Sequence, residues 1–157
     1  MGEKFKSYRY AQFELRAPQT MRPINCVIVH CTATPAGREV TAAEVDKWHR
    51  AQGWAGIGYH YLIRLDGTVE EGRPLDTPGA HCRGHNAASV GVCYAGGLAA
   101  DGKTPADTRT PAQRAALRTV LSALKKRWPA ARICGHRDFD KYKACPCFDA
   151  TREYAGL

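Results

Sequence analysis

Runs of apolar residues along the chain are of two kinds, and they predict buried strands and a hairpin. Residues 24–30 (INCVIVH) and 89–97 (SVGVCYAGG) are nearly continuous apolar runs, which is typical of strands covered on both faces, and the second run ends in a glycine turn. Residues 58–72 instead alternate in polarity around Asp66 and Gly67, a pair that favours a tight turn. This segment is predicted to form a β-hairpin.

Two further segments have helical periodicity with recognisable start signals. Thr41 and Glu44 have the spacing of a capping box, and the apolar face that follows predicts a helix over 42–52. Thr110, followed by proline, begins a longer amphipathic segment that predicts a helix over 111–127. Each helix has one apolar face, so both are expected to pack against a sheet.

A short strand at 131–136 (ARICGH) and a short closing helix within residues 147–156 complete the pattern. Strands that alternate with amphipathic helices predict an α/β fold, a single domain with a mixed central β-sheet flanked by α-helices. Residues 1–22 are polar, basic and aromatic with little period. They are predicted to form an N-terminal arm, which leaves residues 23–157 as the folded domain.

Length and composition fit one soluble domain. The chain has 157 residues, of which 44% are apolar and 24% are charged. No apolar run approaches the roughly 20 residues that cross a bilayer, and the N-terminus lacks an apolar signal-peptide core. We therefore expect a monomer that is cytoplasmic as synthesised, with no signal peptide and no membrane insertion.

The charge of the chain suits an anionic polymer, either nucleic acid or bacterial cell wall. The formal net charge is +8, but the basic residues are dispersed except for KKR at 125–127. That cluster ends a predicted helix, where cations also favour the helix dipole. Because no basic stripe is interleaved with aromatic residues, nucleic acid is not the expected partner.

Histidine and cysteine residues fall at predicted strand ends and in one loop. His30 ends the first buried strand, His136 follows the last short strand, and Cys145 lies in the loop beyond it. Three ligands from separate segments would leave one position of a tetrahedral Zn²⁺ open, the mark of a catalytic zinc. A lone histidine is more often held by a local hydrogen bond, so His30 depends on partners to be a ligand.

A closed arrangement competes with this open one. Cys134, His136, Cys145 and Cys147 could together form a structural zinc site, although zinc sites of this kind usually have a longer spacing between cysteines. The number of cysteines, seven, is odd, and in a reducing compartment most are predicted to be buried thiols. Spacing alone leaves both arrangements open.

Six strings in one order carry a family resemblance. They are VHCTAT at 29–34, GYHYLIRLDGTVEEGRP at 58–74, GAHCRGHN at 79–86, SVGVCYAGG at 89–97, TPAQRAAL at 110–117 and KACPCFD at 143–149. Over about residues 24–150 the chain resembles the zinc-dependent type 2 N-acetylmuramoyl-L-alanine amidases, in particular the phage lysozymes of that group. The peptidoglycan recognition proteins are more distant relatives. Residues 1–22 lie outside the resemblance.

The resemblance implies the residues of the site. His30, His136 and Cys145 correspond to the ligands of one Zn²⁺ per chain, which selects the first cysteine of the C-P-C string. Tyr59 and Lys143 correspond to the catalytic side chains. The stretch between His136 and Lys143 is slightly longer here than in the phage enzyme, which leaves the geometry of this loop open.

Elementary chemistry agrees with these roles. An amide resists hydrolysis because its carbonyl is a poor electrophile and its nitrogen a poor leaving group, and Zn²⁺ acts on the first problem. Tyr59 could bind the attacking water and pass on its proton, while the ammonium group of Lys143 could stabilise the oxyanion. A tyrosine at a strand start and a solvated lysine are the ordinary alternatives.

Four polar residues lie in or near the segments that border the substrate groove of relatives. They are His60, His81, His85 and Asn86. By resemblance they are expected to contact the muropeptide. The alternative is a loop in which histidine and asparagine side chains cap the loop's own backbone.

The resemblance implies hydrolysis of the amide bond between N-acetylmuramic acid and L-alanine, with peptidoglycan or muropeptide as substrate. Without a signal peptide, the expected role is that of a phage or prophage endolysin, which acts on the cell wall after release. The alternatives are a cytosolic anhydro-muropeptide recycling amidase and a non-hydrolytic peptidoglycan-binding module, against which Cys145 argues. A third alternative is a regulatory second role, in which residues 1–22 would contact RNA polymerase, since some phage lysozymes of this group bind it.

Overall fold

The computed structural model describes residues 5–16 and 22–157, where strands alternate with helices. The strands are β1 (Ser7–Tyr8), β2 (Cys26–Cys31), β3 (Thr34–Pro35), β4 (Tyr61–Ile63), β5 (Val69–Glu71), β6 (Ser89–Tyr94), β7 (Gly97–Leu98) and β8 (Arg132–Gly135). The α-helices are α1 (Ala42–Ala51), α2 (Pro111–Arg127) and α3 (Ala150–Glu153). None of the helices in these ranges is long and apolar enough to cross a membrane.

Six strands form one mixed sheet in the order β1-β5-β4-β6-β2-β8. The pairs β4–β6, β6–β2 and β2–β8 are parallel, whereas β5 is antiparallel to both β1 and β4. Every residue of β2 and β6 is buried, as expected for central strands covered on both faces. The predicted α/β fold, one domain with a mixed sheet flanked by helices, is confirmed.

The two longer helices cover opposite faces of the sheet. On one face, Val27 and Val29 of β2 pack with the buried side of α2. On the other, Leu62 and Cys93 pack with Val45 of α1. Because side chains alternate along a strand, His30 lies on the face opposite Val27 and Val29.

Both helices begin as their sequences predict. The Thr41 side chain accepts a hydrogen bond from the Glu44 N–H, and α1 ends one residue before the predicted 42–52 segment does. Thr110 and Gln113 form a reciprocal capping box, and α2 covers the predicted range. The closing helix is shorter than its segment and is capped by Asp149.

The segment 89–97 forms a buried strand that ends in a glycine turn, as its sequence predicts. Strand β6 ends at Tyr94, and the chain turns at Gly96, whose φ angle is 137°. The chain then forms β7, which pairs in parallel with β3 as a separate two-stranded sheet.

Part of the predicted N-terminal arm packs on the domain. Strand β1 pairs with β5, with Ser7 opposite Glu70. Phe13 is buried in the main core, and its ring contacts Tyr61 edge to face at 5.5 Å. The parts of the arm at 1–4 and 17–21 lie outside the described residues, and the domain boundary at residue 22 stays a prediction.

Candidate metal centre and active site

Two histidines meet at the carboxyl ends of neighbouring parallel strands. His30 is the penultimate residue of β2, and His136 directly follows β8. Val29 is paired with Gly135, so the next residue on each strand is a histidine, and the two rings lie 4.7 Å apart. More than a hundred residues of chain separate these side chains, and strand register alone makes them neighbours.

A short turn fixes the chain after His136. The Asp138 carboxylate accepts hydrogen bonds from the Gly135 N–H at 2.7 Å and from the Thr151 hydroxyl at 2.8 Å. The loop then returns, and the Arg137 N–H donates to the Cys145 carbonyl at 2.8 Å. This hydrogen bond brings the Cys145 side chain back beside the two histidines.

The side chains of His30, His136 and Cys145 form a compact donor group. One ligand atom from each lies within 4.8 Å of the other two, and Cys145 Sγ is 3.8 Å from His30 Nδ1. Tetrahedral Zn²⁺ holds nitrogen and sulfur ligands about 3.3–3.6 Å apart, so a small closure of the group would fit this ion. The Cys31 N–H donates to Cys145 Sγ at 3.2 Å and so helps to hold this sulfur beside His30.

The two other cysteines of the closed arrangement make different contacts. Cys134 Sγ lies 3.5 Å from the Sγ of Cys26, the first residue of β2, whereas His30 lies near the other end of that strand. Cys147 Sγ lies 3.2 Å from the Gly97 carbonyl, with Cys31 as its sulfur neighbour at 3.9 Å. Within the described ranges, His30, His136 and Cys145 are the group whose donor atoms converge.

Burial keeps the imidazoles of the group neutral. The pKa of His30 is well below its ordinary value, first because the ring is buried and then because His81 and His136 are close. The pKa of His136 is lowered by burial and by the positive charge of Lys143, while Asp140 opposes the shift. Neutral imidazole offers a free lone pair, which metal binding requires.

The predicted catalytic residues lie beside this group. The Tyr59 ring is 5.1 Å from the His30 ring, centroid to centroid. Burial, followed by the nearby Cys93 and Cys145 thiols, raises the pKa of Tyr59 well above its ordinary value, so the phenol is a proton donor at neutral pH. Lys143 is exposed, and its positive charge is one of the causes that lower the pKa of His136.

The four predicted substrate residues differ in environment. His60 is 1% exposed, its Nδ1 accepts from the Gly91 N–H, and burial lowers its pKa to about 4. Asn86 Oδ1 accepts from two backbone N–H groups of its own loop, the capping role given above as the alternative. His85 is exposed and its ring lies 4.2 Å from the Phe139 ring. Substrate contact by these residues stays a prediction.

His81 makes a contact that the sequence did not predict. Its Nδ1 lies 2.8 Å from Nε2 of His30, and the side chain is nearly buried. No local pattern in GAHCRGHN indicates this neighbour, because the contact depends on how the 79–86 loop crosses the sheet. His81 therefore touches a candidate ligand from the side opposite to Cys145.

Comparison with known proteins identifies the family of this chain. The sequence matches the N-acetylmuramoyl-L-alanine amidase family over residues 20–148. It is 48% identical over 126 residues to the endolysin of Klebsiella phage KP32, covering 80% of this chain and 82% of that protein. It is 41% identical over 128 residues to the endolysin of Escherichia phage T7, covering 82% and 83%.

Among solved structures, the N-acetylmuramoyl-L-alanine amidase LysC from Clostridium intestinale superposes with a TM-score of 0.70 at 28% identity. The match covers 85% of this chain and 83% of LysC. Peptidoglycan recognition proteins share the fold, including Drosophila PGRP-LB with a TM-score of 0.67 at 25% identity. The chain belongs to the N-acetylmuramoyl-L-alanine amidase family.

Proposed function

We propose that this protein is a zinc-dependent N-acetylmuramoyl-L-alanine amidase, which hydrolyses the bond between N-acetylmuramic acid and L-alanine in peptidoglycan. The convergence of His30, His136 and Cys145 at one edge of the sheet carries the proposal. Amidases of this family are generally zinc-dependent, and the relatives with 41–48% identity are phage endolysins. The same relatives support the role of a phage or prophage endolysin that acts on the cell wall after release from the cytoplasm.

The chain supplies a donor set that suits zinc. Two neutral imidazoles and a thiolate are ligands that Zn²⁺ prefers, and three of them leave a fourth position for catalysis. When bound, Zn²⁺ supplies a Lewis acid that polarises the scissile carbonyl and lowers the pKa of water. The Cys31 N–H, 3.2 Å from Cys145 Sγ, orients this proposed ligand.

Tyr59 and Lys143 are the proposed catalytic side chains. The phenol of Tyr59 is protonated at neutral pH and close to His30, so it can orient the attacking water and relay a proton. Lys143 has an exposed ammonium group near His136, where it can stabilise negative charge that develops on the carbonyl oxygen. His85, exposed beside Phe139, is our candidate for a muropeptide contact.

Three finer expectations stay predictions. They are a monomeric state, the absence of a nucleic-acid partner and a contact of residues 1–22 with RNA polymerase.

Ligand identity is tested with matched cysteine variants. We expect Cys145→Ala to lose both zinc and the release of L-alanine amino termini from purified peptidoglycan, because a ligand is removed. Cys147→Ala, two residues away and outside the donor group, is expected to keep both. Zinc loss in Cys147→Ala with zinc retained in Cys145→Ala would reverse the ligand assignment. Wild-type protein that binds zinc but releases no L-alanine amino termini would contradict the amidase function.

A further inference from the structure

A buried chain of hydrogen bonds leads from His30 away from the donor group. His30 Nδ1 faces Cys145 Sγ at 3.8 Å, and the other ring nitrogen, Nε2, lies 2.8 Å from His81 Nδ1. His81 Nε2 in turn lies 3.2 Å from the Ser89 hydroxyl. Both ring nitrogens of each histidine therefore have a defined neighbour.

The chemistry of a neutral imidazole gives these contacts a direction. If His30 offers the lone pair of Nδ1 to a metal, its proton must lie on Nε2, which then donates to His81. His81 must accept through Nδ1, so its own proton lies on Nε2 and is donated to the Ser89 hydroxyl. One arrangement of protons satisfies all three residues.

The His81 ring packs closely against two glycines, Gly79 and Gly91. A methyl group at Gly91 of β6 would lie 2.7 Å from the ring, and one at Gly79 would lie 2.5 Å from it. Only residues without a side chain allow the ring to approach the backbone this closely. The His81 backbone is held as well, since its N–H donates to Asn86 Oδ1 at 2.9 Å.

We propose that His81 is a positioning residue for the zinc ligand His30, an inference that rests on the proposed function. Its Nδ1 accepts a hydrogen bond from the Nε2–H of His30, and so fixes the tautomer and the ring orientation that leave His30 Nδ1 free for Zn²⁺. A histidine that binds a metal usually donates its other N–H to a carboxylate, a carbonyl or water. Here the acceptor is a second imidazole, that of His81. At 8% exposure, with both nitrogens engaged, His81 acts through His30 and not by binding muropeptide.

Zinc affinity, measured by competition with a chelator on the full chain, tests this role. His81→Leu keeps the bulk of the ring but removes the acceptor, so zinc should bind roughly 10–100-fold more weakly. His81→Asn has an oxygen at the same number of bonds from the backbone as Nδ1, and it should recover most of the affinity. Visible spectra of the Co²⁺-substituted variants should report the altered ligand field in His81→Leu.

His49→Leu is the matched control. His49 is also 8% exposed, and its Nδ1 accepts from the Gly58 N–H at 2.8 Å instead of from a candidate ligand. This variant should lose stability in zinc-free urea unfolding while keeping the wild-type zinc affinity. An affinity loss in His81→Leu no larger than in His49→Leu would overturn the inference, and so would an Asn variant as weak as the Leu variant.

The outcomes also separate this inference from the proposed function. Wild-type protein that binds zinc and cleaves peptidoglycan, together with a His81→Leu variant of undiminished affinity, would overturn the inference alone. Wild-type protein that binds no zinc would overturn both.

Discussion

His30, His136 and Cys145 acquire their proposed roles from their neighbours. His30 is held between Cys145 and His81, and the Cys31 N–H supports the Cys145 sulfur. These contacts hold the His30 and Cys145 side chains in place before an ion binds. They therefore reduce the entropic cost of ordering these two side chains when zinc binds. At the scale of residues, the site is a set of side chains that are oriented by their hydrogen bonds, and the proton positions of His30 and His81 fit these bonds.

Substitution of the proposed catalytic side chains should separate metal binding from catalysis. Tyr59→Phe removes the hydroxyl, and Lys143→Ala removes the ammonium group, but neither change touches the three proposed ligands. We expect both variants to keep zinc and to lose turnover by roughly 10²–10³-fold. Zinc content and amidase assays of the two variants check this, and full activity in both would remove the proposed roles.

Stability should fall in mild acid because His60 is buried in its neutral form. The pKa of His60 is about 4 in the fold and about 6.5 in the unfolded chain, so the unfolded chain binds more protons between these pH values. The contribution of neutral His60 to the free energy of unfolding is therefore complete above a pH of about 6.5, and it is lost as the pH falls toward about 4. It should amount to about 2 kcal/mol between pH 7 and pH 5.

Urea unfolding of wild type and His60→Asn at these two pH values measures this contribution. Other buried histidines have lowered pKa values too, so the informative quantity is the difference between the two proteins. His60→Asn should lose less stability on acidification than wild type. Equal losses would mean that His60 does not titrate as its burial implies.

At the scale of elements, the sequence predicts what depends on neighbours along the chain. The start of each long helix follows from Thr41 and Thr110, whose caps are local. The turn that follows β6 is also local, because Gly96 and Gly97 directly follow the apolar run. The His81 contact with His30 joins distant segments, so no local pattern could predict it, and spacing alone could not choose between the cysteines.

The N-terminal segment is predicted to stabilise the sheet. Phe13 is 7% exposed in the main core, so Phe13→Ala should lower the free energy of unfolding by roughly 3–5 kcal/mol. Tyr142→Ala removes an aromatic ring that is 86% exposed and should change stability by less than about 0.5 kcal/mol. Urea unfolding measures the stability of both variants. Equal stabilities would mean that the N-terminal segment does not stabilise the domain.

At the scale of the whole molecule, the site depends on the complete sheet. Strand β2 lies near the start of the domain and β8 near its end, and their pairing brings the two halves of the site together. A donor group assembled in this way exists only in the folded chain, so zinc binding and folding should be coupled. The net charge of +8 also suits an enzyme that approaches an anionic cell wall.

The most direct test of the zinc amidase function is a measurement of new L-alanine amino termini released from purified peptidoglycan before and after removal of zinc. We predict that release stops when a chelator removes the metal and returns when about one equivalent of Zn²⁺ per chain is restored. Undiminished release by metal-free protein would contradict the account, as would products with new reducing sugar ends in place of free L-alanine amino groups.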